Sequence, residues 1–154
     1  MRKEVWIAPA VFAADQGMKW AAERMEAAEQ TVIPGVLALR LTHNTGMAFS
    51  LFSGHSWLLG LLGLLIAAGA YLYLRKKEIP RLPFIGLMLM AGGAAGNMAD
   101  RWFLGYVRDM IELKFVRFAV FNLADAALTV GCGLLILYVL RDGGNHASED
   151  SSAR

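Results

Sequence analysis

Apolar residues gather into four runs along the chain, and most of the charge lies between them. The run at 56–74 has no charged residue and is rich in Leu, enough helix to cross a hydrocarbon core about 30 Å thick. The run at 82–99 is also uncharged. It carries Gly92, Gly93 and Gly96, a small-residue surface that lets helix backbones approach, and ends in Asp100-Arg101. An earlier run covers 5–20 and is prolonged through 21–30 by residues of good helix propensity. Phe12-Ala13-Ala14 looks like a signal-peptide cleavage site, but Glu4, Pro9 and the continuing helical pattern favour a first span. The last run is short: 126–140 is fifteen residues, about 22 Å of helix. Its span therefore reaches back to about 121, which draws Asn122 and Asp125 toward one membrane surface.

Two stretches between the runs alternate with period two. After the Pro34-Gly35 break, Val36, Ala38, Arg40 and Thr42 face one way and Leu37, Leu39 and Leu41 the other. Further on, Ile111, Leu113 and Phe115 alternate with Glu112 and Lys114. Asn44-Thr45-Gly46 is a turn signal. The pattern predicts an all-α membrane protein: four transmembrane helices (about 5–20, 56–74, 82–99 and 121–140) with a small extracytoplasmic β-sheet and loop region. They form a single domain over 1–142, followed by a polar, disordered tail over 143–154.

Composition supports this and narrows the function. Of 154 residues, 56% are hydrophobic and 18% charged, and the net charge of +2 is too small for a nucleic-acid partner. Arg2, Lys3, Arg75, Lys76, Lys77, Arg81 and Arg141 fall on one side of a four-span arrangement. That side, with both termini, is assigned to the cytoplasm. Arg101, Arg108, Lys114 and Arg117 lie opposite, so the bias is modest. Cys132 is the only cysteine; no internal disulfide can form, and its place in an apolar helix marks it as a small buried hydrophobe. His43 and His55 fit no metal-ligand spacing and are read as structural or interfacial.

Chemistry concentrates between 92 and 125. Asn97, Asp100 and Arg101 share one face at the end of the third span, Asn122 and Asp125 one face at the start of the fourth, and Asp109 lies in the intervening loop. All three groups can reach the same surface. One reading makes them helix caps and interfacial ion pairs, with Asp100–Arg101 one such pair and Asp15–Lys19 (i, i+4) another. Asp125 resists that reading because its neighbours are apolar and no basic residue lies within a turn. Two carboxylates at close range cannot both ionise cheaply, so one proton is shared near neutral pH. The ionised member can take a proton from water while the protonated member polarises an amide carbonyl. This chemistry needs no metal or cofactor, and no Ser/His/Asp arrangement, HExxH or GxSxG motif competes with it. Alternatives from other classes are a small proton-coupled transporter using Asp100, Asp109 and Asp125 as a relay, and a scaffold whose polar residues only join helices.

Five short motifs carry a family resemblance: Asp15-Gln16 with Lys19, Asn44-Thr45-Gly46-Met47-Ala48-Phe49, Gly96-Asn97-Met98-Ala99-Asp100-Arg101, Val107-Arg108-Asp109, and Phe121-Asn122-Leu123-Ala124-Asp125. In this order, over roughly 5–140, the chain resembles lipoprotein signal peptidase (signal peptidase II), the aspartic peptidase of the bacterial inner membrane. The resemblance implies removal of the signal peptide from prolipoproteins, just before a cysteine carrying diacylglycerol, at the extracytoplasmic face. It implies Asp109 and Asp125 as the catalytic pair. Asn44, Asn97, Asp100, Arg101 and Asn122 would line or brace the site, with Asp15 and Lys19 near it. Membrane lipids and globomycin-type peptide inhibitors are the other implied partners. Met110 stands where the family commonly has Phe, and Ala119 where it often has Pro; both keep apolar character.

Overall fold

The computed structural model describes residues 2–46, 61, 65, 72 and 79–152. Apart from 61, 65 and 72, the expected second span over 56–74 lies outside the described residues, as does His55. The described elements are helices α1 (Ile7–Ala22), α2 (Arg81–Phe103) and α3 (Leu123–Ser152) and strands β1 (Gln30–Ile33), β2 (Leu37–Asn44) and β3 (Val107–Leu113). A single 3₁₀ turn, Lys3–Trp6, leads into α1.

Two of these helices are long and apolar enough to cross a membrane: Arg81–Phe103, with mean hydropathy 1.4, and Leu123–Arg141, with mean hydropathy 2.1. α1 has 16 residues, fewer than the roughly 20 a span usually needs. Glycines join α2 to both neighbours. A Cβ on Gly92 would lie 2.5 Å from the Ala8 carbonyl oxygen of α1, and one on Gly93 2.5 Å from the Ala124 carbonyl oxygen of α3. Gly86 and Gly131 meet reciprocally, each backbone in the space a side chain would take. These contacts press the polar ends of α2 and α3 together at one end of the bundle.

Gly93→Ala is therefore expected to force α2 and α3 apart and cost about 1–3 kcal/mol. Gly133→Ala, where a Cβ meets nothing within 4 Å, is expected to leave stability unchanged or slightly raised. Thermal unfolding in detergent micelles checks both; equal behaviour of the two variants would contradict the packing argument.

The sheet caps that end in the order β1-β2-β3, all antiparallel. Several boundaries differ from the sequence reading. α1 stops at Ala22 rather than continuing to 30. Gln30, Thr31 and Ile33 pair with β2 through the Pro34–Val36 turn, where Gly35 takes φ 71°; 23–29 are the turn and bend that lead from α1 into that strand, despite their mild helix propensity. β3 begins at Val107, so Asp109 lies in a strand and not in a loop, opposite Thr42. β3 ends at Leu113, leaving Phe115 exposed beyond it. α3 runs to Ser152, so 143–152 of the tail expected to be disordered are helical; adding residues to a formed helix costs far less than starting one. Cys132 is exposed, because its neighbour Gly131 takes the position packed on α2. It shares the outward surface of α3 with Val130, Ile136, Val139 and Leu140, all exposed apolar residues.

Candidate active site

The site is built where three chain segments are tied together. Phe121, just before α3, bridges to Ile111 of β3: its N–H donates to the Ile111 carbonyl at 3.1 Å, and its carbonyl accepts from Ile111 at 2.7 Å and Met110 at 3.0 Å. This bridge holds the first turn of α3 beside Asp109. Asn122 then caps the helix. Its Oδ1 accepts the Asp125 N–H at 2.9 Å, and the Asp125 carboxylate accepts the Asn122 N–H at 3.3 Å. That reciprocal exchange is a capping box, with Asn and Asp in the usual Ser/Thr and Glu positions.

Both carboxylates are held by Asn122 and by one further asparagine each. Asp109 accepts from Asn122 Nδ2 at 2.7 Å and from Asn44 Nδ2 at 2.9 Å. Asp125 accepts from Asn97 Nδ2 at 2.7 Å as well as from the Asn122 backbone. Asp109 is buried, only 2% exposed. Burial is the main cause that pushes its pKa up to about 6, and the charge of Asp125 adds to it; the hydrogen bonds from Asn44 and Asn122 and the charge of Lys19 pull the other way.

Beneath the pair lies a buried ionic layer. Lys19 is fully buried and bonds Asp15 at 2.7 Å, Asn97 Oδ1 at 3.0 Å and Asp100 at 3.3 Å, one partner for each ammonium proton. Asp15 spends its other oxygen on the Ala124 N–H at 2.9 Å, a free donor in the first turn of α3. Lys19 thus orients the Asn97 amide: with Oδ1 turned to the ammonium and to Asn122 Nδ2, Nδ2 must face Asp125.

The sequence-level pairings change in two places. Asp15–Lys19 is a fully buried pair and not an interfacial one. Asp100 does not pair with Arg101: adjacent helical residues point in different directions, and Asp100 is held instead by Lys19 and bidentately by Arg108, at 2.7 and 3.2 Å. Arg101 lies over the site. It donates to the Asn97 carbonyl at 3.5 Å and the Gly46 carbonyl at 3.4 Å, and its charge acts on Asp100, Asp109 and Asp125. Its Nε is buried and, among the described residues, makes no hydrogen bond. Gln16 and Arg108 were not singled out as site residues. Gln16 donates to Gly96, Asp15 and Asp100, and accepts from Arg108. Their signal in the chain is their place in the motifs Asp15-Gln16 and Val107-Arg108-Asp109, next to the acids. His43 stacks on Tyr106 with ring centroids 4.2 Å apart, a structural contact.

Apolar helices of spanning length, meeting at a centre of four aspartates of which Asp15, Asp100 and Asp109 are buried, define a membrane enzyme, and the comparisons agree. A solved bacterial membrane enzyme, determined by the in meso method at 2.3 Å resolution, matches with TM-score 0.85 at 28% identity, over 92% of this chain and 90% of that one. A second, at 1.9 Å resolution, matches with TM-score 0.80 at 29% identity, over 90% and 93%. The family model for signal peptidase (SPase) II matches residues 7–141, and the chain belongs to that family. It is 40% identical to the lipoprotein signal peptidase of Lactobacillus gasseri, over 84% of this chain and 86% of the relative. It is also 40% identical to that of Geobacillus kaustophilus, over 87% and 90%.

Proposed function

We propose that this peptidase removes the signal peptide from diacylglyceryl-modified prolipoproteins, cutting before the lipidated cysteine, with Asp109 and Asp125 as its catalytic pair. Family membership and the names of the relatives support the reaction. The observation that supports the pair is that one residue, Asn122, binds both carboxylates. In this reading Asp109, with a pKa near 6, carries the shared proton. Asp125 takes a proton from water as the oxygen attacks the scissile carbonyl, and Asp109 gives its proton to the carbonyl oxygen. The tetrahedral intermediate collapses as Asp125 gives its proton to the leaving nitrogen, the C–N bond breaks, and one of the two hydroxyls returns a proton to Asp109, restoring the pair. Arg101 places a positive charge over the pair, and Asn44, Asn97 and Asn122 hold it; Asp15, Lys19 and Asp100 support them from below.

The same reading gives four spans in the bacterial inner membrane, both termini in the cytoplasm and the site at the extracytoplasmic face. Lys3, Arg81 and Arg141 lie at the end of the bundle away from the pair, which supports that orientation. A lipidated chain suits such a depth, because acyl chains and signal helix hold the scissile bond at the surface where the acids sit. A relay transporter fits less well: Asp15, Asp100, Asp109 and Asp125 gather at one end of the helices instead of stepping across them. The direct test is purified protein with a diacylglyceryl-modified preprotein, with and without globomycin. Globomycin-sensitive cleavage before the cysteine is expected; intact preprotein would refute the proposal.

The pH profile follows from Asp109. Its proton is needed, so kcat/KM is expected to fall as pH rises through about 6. The limb in kcat should lie higher, because bound substrate removes more water from the carboxyl. Asn44→Ala removes a bond that stabilises the ionised form and should move the kcat/KM limb to higher pH. A limb that does not respond to Asn44→Ala would argue against Asp109 as its source.

A further inference from the structure

Arg108 precedes Asp109 on β3 and takes no part in the chemistry above. Successive strand side chains point to opposite faces. Arg108 accordingly reaches α1 and α2, while Asp109 meets Asn44 and Asn122. Its side chain is one-tenth exposed. It forks onto Asp100 at 2.7 and 3.2 Å, and also binds Gln16 at 2.8 Å and Glu23 at 3.1 Å. The backbone of the same residue is held on both sides: its N–H donates to Asp100 Oδ2 at 3.0 Å, and its carbonyl accepts from Asn122 Nδ2 at 3.3 Å.

We propose that Arg108 is a positioning residue: by fastening its stretch of β3 to Asp100, Gln16 and Glu23, it sets where the carboxylate of Asp109 stands relative to Asp125. The proposal rests on Asp109 being catalytic. The physical link is the peptide plane. The Arg108 carbonyl and the Asp109 nitrogen and Cα share one rigid plane, so fixing residue 108 at both ends places the Asp109 Cα, leaving its φ, which the pairing of β3 with β2 restrains, and its side-chain torsions. The fork matters because a planar guanidinium can serve three acceptors from one position, whereas a lysine ammonium is a compact point charge. The fold does not depend on Arg108 alone, since Asp100 keeps Lys19 and Gln16.

The test compares Arg108→Lys, Arg108→Met and Asp109→Asn in the full-length protein in detergent, with a diacylglyceryl-modified preprotein as substrate. Tm, kcat, KM and the pH limb are read for each. Arg108→Met is expected to lower kcat by about 10- to 100-fold with KM nearly unchanged, the scale of a misplaced reacting group. Arg108→Lys, which keeps the charge, is expected to fold and to recover part of kcat. Its kcat/KM limb should lie below about 6, because a loosened strand admits water to Asp109. The charged groups that also face Asp109 (Asp125 from α3, Lys19 from α1 and Arg101 from α2) are unchanged in these variants. If Arg108→Met does not fold, Arg108→Lys decides the matter alone. Wild-type kcat and pH limb in a folded Arg108 variant, with Asp109→Asn inactive, would overturn the positioning role only. Activity in Asp109→Asn would overturn the catalytic reading beneath it, and the positioning role with it.

Discussion

Asp109→Asn and Asp125→Asn should each reduce cleavage of a lipidated preprotein by at least about 10³-fold, within the usual range for losing a positioned acid or base. Their effects on stability should differ. Asp109 receives amide donors at both oxygens, from Asn122 at 2.7 Å and Asn44 at 2.9 Å. An asparagine there must turn its own NH₂ toward one of those donors, a mismatch in a buried setting worth about 1–3 kcal/mol. Asp125 has one strong donor, Asn97 at 2.7 Å, and one long contact to the Asn122 N–H at 3.3 Å. An asparagine at 125 can keep the first and lose only the second, so Asp125→Asn should unfold close to wild type. The double variant should be no slower than either single one, because residues that act as a unit are not additive. Thermal unfolding and single-turnover cleavage separate these expectations. A well-folded Asp125→Asn that still cleaves would rule out the pair.

Lys19→Met is expected to have the largest effect on stability, about 3–5 kcal/mol, because it leaves buried carboxylates without their shared cation. Asp15, Lys19 and Asp100 are all essentially fully buried, and among the described residues Lys19 is the cation that touches both acids. Activity should fall too. Without the ammonium, Asn97 Oδ1 loses its 3.0 Å partner, and the amide is less firmly held with Nδ2 toward Asp125. Adding Asp15→Asn should restore part of the stability, since it removes one stranded charge while keeping an acceptor for the Ala124 N–H at 2.9 Å. Denaturation of the single and double variants measures the coupling. A double variant as unstable as the sum of its parts would mean that the two charges do not depend on each other.

How much of this was readable beforehand depended on range. The glycine face at Gly92 and Gly96 packs as its spacing implied, Gly92 on the α1 backbone and Gly96 against the Asp15 carboxylate. Asn122 and Asp125, three apart before an apolar run, are a capping box. These are local patterns, in which spacing alone decides who meets whom. The prolonged first helix was misread for the same reason: propensity is local, while β1 exists because β2 offers a partner. Asp100–Arg101 was a natural pairing to consider from adjacency, yet Asp100 meets Arg108 once α2 ends at Phe103 and Gly105, at φ 82°, turns the chain back into β3.

By itself the sequence determined the apolar runs, the strand-like stretches and the set of acids that could do chemistry, because periodicity and the cost of burying charge are written residue by residue. Only the tertiary structure decided how those acids are divided: Asp15 and Asp100 into a neutralised ionic layer with Lys19 and Arg108, Asp109 and Asp125 into a pair held by asparagines. The reason is that a carboxylate's role depends on its burial and on which donors reach it. Those donors come from α1, β2 and α2, far away in the chain, and reach it only when the glycine contacts close the helices together.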